Sequence, residues 1–248
     1  MKVLENDTTV ILEWFKNNEM KPNADKCHLI VCNANNASIN LENEIIDASD
    51  TVELLGIKID KDLKFTEHVS NLCKKGNQKL HALARISKYL TEDKRKIIMK
   101  TFITSQFNYN PLVWMFHNRT LNNKINRLHE RALKLVYKDE RLNFQEMLDR
   151  DNSITIHHKN LQRLAIEMYK VKNQISPLPM QKLFTKKDHQ HDLRFKSTWE
   201  IGNIRTVKCG SETIRNLGPK TWELVPNEIK ESASLALFKS KVKKMETN

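Results

Sequence analysis

The spacing of the apolar residues changes near Phe65, and this change constrains the fold more than any other feature of the sequence. Before Phe65, short apolar runs are separated by polar turns, a pattern typical of short strands and hairpins. After it, apolar residues recur every three or four positions, as on one face of a helix. Because the chain contains only 5 glycines and 6 prolines, few turns interrupt the second pattern. The sequence therefore predicts an α+β fold that is mostly α.

The predicted elements follow this change of period. We expect a helix over residues 8–19 and strands over 26–32, 39–41, 44–46 and 52–59, with turns at 33–36 and 42–43 and a bulge or a close backbone approach at Gly56. Helices are expected over 66–89, 91–106, 121–137, 144–148, 156–174 and 235–245. In the second of these, Ile97, Ile98, Phe102 and Ile103 are expected to face inward. Three domains are predicted: an N-terminal part with one helix and hairpins (1–65), a helical bundle (66–175) and a basic, partly helical C-terminal region (176–248).

The charge reverses at the same place. Residues 1–65 contain 7 lysines and 12 acidic residues, a net charge of −5, whereas residues 66–248 contain 35 basic and 18 acidic residues, a net charge of +17. A strongly basic helical region indicates a partner with a phosphate backbone. A lysine-rich helical surface that contacts only solvent is the alternative interpretation.

Other classes of protein are disfavoured. No run of 18 apolar residues is present, so no transmembrane helix is expected, and no apolar signal segment follows Met1. The four scattered cysteines, Cys27, Cys32, Cys73 and Cys209, indicate reduced thiols and a cytoplasmic or nuclear location. No Cys-x-x-Cys pair accompanies His157, His158, His189 and His191, so no metal site is predicted.

Four segments in order resemble the reverse transcriptases of non-long-terminal-repeat retrotransposons of the jockey-like type. The first is WFKNNEMKPNADK (14–26), which is similar to the stretch after the catalytic aspartate turn. The second is LLGIKID (54–60) with Leu63, Phe65 and His68, which resembles the hairpin called the primer grip. The third resembles the thumb helix and the segment after it, and consists of Arg95, Ile98, Ser105, Asn108, Tyr109 and Trp114. The fourth resembles the C-terminal tail, and consists of Asp192-Leu193-Arg194, LGPKTW (217–222), Val225, Pro226 and the helix start at 234–239.

The resemblance implies an RNA-directed DNA polymerase from which the metal-binding half is missing. Enzymes of this family hold two Mg²⁺ ions on palm aspartates, including an adjacent pair. This sequence has no adjacent pair of aspartates, so we expect it to begin after the catalytic turn, to hold no cofactor itself and to be catalytically incomplete. The resemblance implies that residues 1–65 are a remnant of the palm and that the following helices are thumb-like.

The same resemblance supplies the candidate site residues. Lys26 corresponds to a lysine near the leaving pyrophosphate, a role it cannot perform without the metals. Leu55, Gly56 and Ile57 correspond to the primer grip, where glycine would let the backbone approach the primer closely. The cations expected to contact phosphates without reading sequence are Lys74, Lys75, Lys79, Lys94, Arg95, Lys96 and Lys100.

The expected partner is an RNA or DNA template-primer, with no membrane and no small-molecule substrate. Tyr109, Trp114, Phe116 and Trp222 could stack on bases, although packing in a helical core is the favoured interpretation. Two alternatives stay open: a helical interaction module that binds an acidic protein, and a remnant of a mobile element without function.

Overall fold

The computed structural model describes residues 2–32, 37–41, 44–139, 141–187, 199–201 and 212–245. Two compact units divide the chain, Met1–Ser70 and Asn71–Asn248. The chain is mostly helical, with a small region of antiparallel hairpins near the N-terminus, so the predicted α+β, mostly α class is confirmed. No helix among the described residues combines the length and the apolar character needed to span a bilayer.

The first unit contains one helix and two antiparallel hairpins. Helix α1 (Lys2–Asn17) is followed by a 3-10 turn, Ala24–Lys26. Strand β1 (Ser38–Leu41) pairs with β2 (Glu44–Asp47), which places Ile39 opposite Ile46. The strand predictions for 39–41 and 44–46 are therefore confirmed, whereas the turns predicted at 33–36 and 42–43 lie outside the described residues.

The strand predicted over residues 26–32 is wrong. This segment makes one isolated parallel bridge, from Leu29 to Ala48, and Ser49 N–H donates to Leu29 O at 2.8 Å. Its apolar run therefore buries Leu29 without forming a ladder. A strand is stabilised by its pairing partner, and an apolar run alone does not supply one.

The continuous strand predicted over 52–59 is also wrong, because the chain reverses direction there, as in the hairpin that the family resemblance implies. Strand β3 (Thr51–Leu54) pairs with β4 (Ile57–Asp60) in an antiparallel hairpin. The two-residue loop consists of Leu55, at φ 49°, and Gly56, at φ 79°. Positive φ at both loop positions is the geometry whose twist matches that of the flanking strands, and Gly56 adopts it without strain.

Helices dominate the rest of the chain. Helix α2 (Thr66–Ile86) contains the division between the units. The second unit continues with α3 (Glu92–Ile98), α4 (Pro111–Trp114), α5 (Arg119–Tyr137), α6 (Phe144–Asp151), α7 (Ile156–Lys172), α8 (Leu178–Gln181), α9 (Ile214–Glu223), α10 (Asn227–Lys230) and α11 (Leu235–Lys244).

Capping residues fix where the principal helices begin. The side chain of Asn118 accepts from Leu121 N–H at 3.1 Å at the start of α5. Asn143 and Glu146 form a reciprocal capping box on α6, and Ser234 accepts from Leu237 N–H on α11. Helix α5 ends where Lys138 turns left-handed at φ 53°.

The helix predicted over 91–106 changes its geometry halfway. After α3, residues Met99–Thr104 form a π-helical segment and Ser105–Asn108 a 3-10 turn. The wider π turn changes which side chains face inward. Met99, Ile103 and Phe107 are buried, whereas Ile97 and Phe102 are exposed, so the prediction that those two face inward is wrong.

A cluster of aromatic and aliphatic side chains joins α7 to the C-terminal helices. Tyr169 of α7 stacks on Phe238 of α11 at 4.3 Å between ring centroids, and Trp222 of α9 also stacks on Phe238 at 6.0 Å. Tyr169 also donates to Ser232 O at 2.7 Å. Helix α7 thus shares one core with residues beyond 213, and the predicted domain boundaries at 65 and 175 stay predictions.

Cys73 lies in the second unit on the buried face of α2. Its side chain is almost completely buried, and burial raises the pKa of its thiol to about 11. Cys27 and Cys32 have greater access to solvent. Cys209, His189, His191 and the Asp192-Leu193-Arg194 segment lie outside the described residues.

Candidate nucleic-acid interface

Lys26, the residue implied to act near the pyrophosphate, ends the 3-10 turn after α1. Its side chain is exposed, and Asn23 shapes the turn by accepting from Asp25 N–H at 2.9 Å. The turn therefore presents the Lys26 ammonium to solvent, and its catalytic role stays a prediction.

The predicted primer-grip residues form the tip of the β3–β4 hairpin. Leu55 is 78% exposed, and Ile57 is buried. A Cβ added to Gly56 would meet no atom within 4 Å. Glycine is therefore required here by the positive φ and leaves the backbone accessible to another molecule, as the predicted role demands.

Four exposed cations lie on one side of α2 and define a surface that we call the α2 row: Lys74, Lys75, Lys79 and Arg85. At 100° per residue they occupy an arc of about 140°, opposite the buried Cys73, Leu80 and Leu83. No acidic residue occurs between His68 and Thr91. Among the described residues, no carboxylate lies within 4.0 Å of the three lysines.

Arg95, another predicted phosphate contact, is 6% exposed and turned inward. Its guanidinium donates to Val136 O at 2.8 Å and to Leu90 O at 2.5 Å. Val136 lies in the last turn of α5, where the helix carbonyls have no partner within the helix. Arg95 thus ties α3 to the C-terminal end of α5, while its neighbour Lys94 is exposed.

Lys96 and Lys100 both bind the buried carboxylate of Asp151. Their ammonium groups lie 2.9 Å and 3.2 Å from the two oxygens of Asp151. Tyr137 also donates to this carboxylate at 2.8 Å. Burial alone would raise the pKa of Asp151, but the bonds from Lys96 and Tyr137 and the charge of Lys100 outweigh it and lower the pKa.

A concave basic surface, which we call the basic groove, lies in the second unit with a volume of about 1260 Å³. It is bounded by the π segment, α6, α7 and the end of α11. Five cations line it, against two carboxylates: Lys100, Lys159, Arg163, Lys243 and Lys244, with Asp149 and Asp151. Because Asp151 is paired with Lys96 and Lys100, the groove has an excess of positive charge.

The cations of the groove are close enough to influence one another. Desolvation lowers the pKa of Lys159, and the charges of Arg163, Lys243 and Lys100 lower it further. Arg163 is held by hydrogen bonds to Asn108 Oδ1 at 2.7 Å and Asn160 Oδ1 at 3.0 Å. Its guanidinium is therefore fixed in orientation.

His129 lines the same groove and is 5% exposed. Its Nδ1 has no hydrogen-bond partner in the structure. Burial lowers the pKa of His129 to about 4. The charges of Lys159 and Lys100 also lower this pKa, whereas the charge of Asp151 raises it. The ring is consequently neutral near pH 7.

The sequence predicted three cations of the α2 row, Lys74, Lys75 and Lys79, but not Arg85, and it did not predict most of the groove. Lys159, Arg163, Lys243 and Lys244 were not singled out. The available signal was the start of α7, where His157, His158 and Lys159 occur with no acidic residue in the first turn. A first turn normally favours acidic residues, so this departure could have marked the position.

The remaining candidates are assigned by burial. Trp114 and Trp222 are core residues, Phe116 is half-buried and Tyr109 is exposed. The described part of the chain contains no group of three or more His, Cys, Asp or Glu side chains that could hold a metal ion.

Comparisons with protein-family models, with curated proteins and with solved structures gave no match to this chain.

Proposed function

We propose that the chain is the C-terminal portion of a non-long-terminal-repeat reverse transcriptase, whose own contribution is to bind the backbone of an RNA–DNA template-primer. The observation that carries this proposal is the α2 row. Four exposed cations lie on one face of a helix, in a stretch of 24 residues without an acidic side chain. The ordered sequence segments supply the link to the enzyme family.

The dimensions of the α2 row suit a phosphate backbone. Lys74 and Arg85 are 11 residues apart, which corresponds to about 16 Å along a helix. A nucleic-acid strand presents one phosphate per 3.4 Å of duplex axis, so the row can follow about five phosphates. Lysine side chains neutralise phosphates without distinguishing bases, so the binding is independent of sequence.

The exposed apolar face of α1 supports the proposal, because such a face normally packs against another part of a protein. Val10, Ile11 and Trp14 are more than half exposed, although their spacing places them along one stripe. A helix of a complete domain normally buries such a stripe. Under the proposal, the rest of the palm covers it, and the same missing part supplies the aspartates that bind the metals.

The proposal is tested by measuring the affinity for an RNA–DNA hybrid as a function of salt, by fluorescence anisotropy. The triple variant Lys74→Gln/Lys75→Gln/Lys79→Gln removes three phosphate contacts. The slope of log K against log[salt] is then expected to decrease in magnitude by about 2.7. Two hybrids of unrelated sequence are expected to give the same affinity.

A matched control removes the same net charge from lysines that already have acidic partners. Lys61, Lys134 and Lys170 are paired with Asp50, Glu130 and Glu167. The triple glutamine variant at these positions is expected to keep most of the slope. An equal loss in both triple variants, or an affinity that does not fall as salt rises, would refute the proposal.

The alternative, an acidic protein partner, is favoured by one observation. Tyr89, Ile97 and Phe102 are large, exposed side chains in the same basic region. A protein partner would cover such residues, whereas a phosphate backbone would leave them in solvent. Replacing these three with serine separates the cases, because hybrid binding on the α2 row is expected to be unaffected.

A further inference from the structure

The basic groove brings positive charges close together, whereas a fold that binds no ligand would keep them apart. Lys159, Lys243 and Lys244 have no carboxylate within 4.0 Å among the described residues. Like charges that converge in a concave surface repel one another more strongly than on a flat one, because less solvent screens them. Lys159 and Lys243 lie on different helices and are 84 positions apart, so the chain folds against this repulsion.

Helix ends explain some of these charges and not others. Lys243 and Lys244 lie in the last turn of α11, where the helix dipole favours cations. Lys159 lies near the start of α7, where the dipole disfavours them. The N-terminus of a 17-residue helix is itself a favourable place for an anion, since its first N–H groups point outward.

His129 forms part of the lining of the groove and is neutral near pH 7. Its side chain is buried beside Lys159 and Lys100, yet Nδ1 has no partner. Buried polar atoms are nearly always hydrogen-bonded, because an unused one costs the full desolvation penalty. Nδ1 has almost no accessible surface, so a ligand in the groove would contact other atoms of the ring.

We propose that the basic groove is a binding site for a compact oligophosphate, an anion that carries at least two phosphate groups close together. Lys159, Arg163, Lys243 and Lys244 surround the anion from α7 and α11, and the ring of His129 lines the same volume. This site is separate from the α2 row and does not depend on the reverse transcriptase assignment.

The character of the lining distinguishes an oligophosphate from a nucleic-acid strand. Among the described residues that line the groove, none except histidine has an aromatic side chain on which a base could stack. Its cations converge around one volume instead of forming a row. A nucleoside attached to the phosphates therefore adds little, and inorganic triphosphate and adenosine triphosphate are expected to bind with affinities within about threefold of each other.

The test is isothermal titration calorimetry of the full chain with inorganic triphosphate at about 0.1 M salt, where distant charges are screened. The variant Lys159→Gln/Arg163→Gln is expected to weaken binding by about tenfold or more, as for loss of charge-assisted hydrogen bonds. Because Arg163 also bonds Asn108 and Asn160, a second variant, Lys243→Gln/Lys244→Gln, repeats the test on exposed residues that make no such bonds. The α2-row triple variant serves as the control and is expected to bind triphosphate as the wild type does.

Each outcome of these titrations either supports or overturns the oligophosphate site. Loss in both groove variants with retention in the α2-row variant supports the site. No measurable binding to the wild type, equal weakening in the α2-row variant, or equal affinity for monophosphate and triphosphate would overturn it. A single-stranded oligonucleotide that displaces triphosphate more effectively than adenosine triphosphate does would also overturn it, in favour of an extended strand. Hybrid binding is measured on the same variants, so failure of one proposal leaves the other distinguishable.

Discussion

Arg95 places a full positive charge among backbone carbonyls at the C-terminal end of α5. Among the described residues no carboxylate pairs with this charge, and the carbonyl groups of Val136 and Leu90 stabilise it. This arrangement satisfies carbonyls that the helix itself leaves unpaired. The residue thus acts on the stability of the fold, even though its charge is of the kind that binds phosphate.

Replacing Arg95 with glutamine is expected to lower the free energy of unfolding by about 3 kcal/mol, because buried carbonyls lose a charged donor. Urea denaturation of the variant measures this. Lys94→Gln is the matched control, with an exposed side chain and an expected change within about 0.5 kcal/mol. An Arg95→Gln protein of wild-type stability but weaker hybrid binding would contradict this role.

His129 makes the stability of the chain depend on pH. Its pKa is about 4 in the folded chain against 6.5 for a free histidine. Between these values the unfolded chain binds a proton and the folded chain does not, so stability is complete above about pH 6.5 and falls as the pH falls toward 4. At pH 5 the loss from this residue is about 2 kcal/mol.

Urea denaturation at pH 7 and pH 5 measures this loss, and His129→Gln is expected to reduce the difference between the two. His117 and His157 also have lowered pKa values because of burial and contribute in the same direction. The pH dependence of stability in the wild type is therefore compared with that in the variant, and not with a stability that is independent of pH. An unchanged difference in the variant would show that His129 is not the responsible group.

The elements show which parts of this fold a sequence can predict. Helices α5 and α11 were predicted nearly at their observed bounds, because their apolar period and capping residues are encoded locally. The apolar pattern did not predict the β3–β4 loop, which only the family resemblance implied, since Leu55 takes a left-handed conformation usually given to asparagine or glycine. The basic groove was missed for a different reason: it depends on how α7 and α11 pack.

The π segment leads to a separate prediction, because it buries one of two neighbouring apolar side chains and exposes the other. Ile103 is 1% exposed and Phe102 is 56% exposed. Ile103→Ala is expected to lower the free energy of unfolding by about 3 kcal/mol, and Phe102→Ala to change it by less than about 0.5 kcal/mol. A regular α-helix, as first expected, would bury both residues, so comparable losses in the two variants would argue against the π geometry.

Across the whole molecule, the core that joins α7 to the C-terminal helices depends on residues far apart in sequence. Trp222 is fully buried against Phe238. Trp222→Ala is expected to lower the free energy of unfolding by about 4 kcal/mol, measured by circular dichroism in urea. Trp14→Ala is the control, because Trp14 is 55% exposed and its loss should change stability by less than about 1 kcal/mol.

The buried thiol of Cys73 allows the unfolding of α2 to be measured by thiol labelling. Thiol reagents attack the thiolate, which Cys73 cannot form at neutral pH while it is buried with a pKa of about 11. In a Cys27→Ser/Cys32→Ser/Cys209→Ser variant, any labelling therefore waits for local or global unfolding. The labelling rate then gives the free energy of opening at this one position. An increase in that free energy on adding an RNA–DNA hybrid would report, through a cysteine that touches no nucleic acid, that the opposite face of the same helix is occupied.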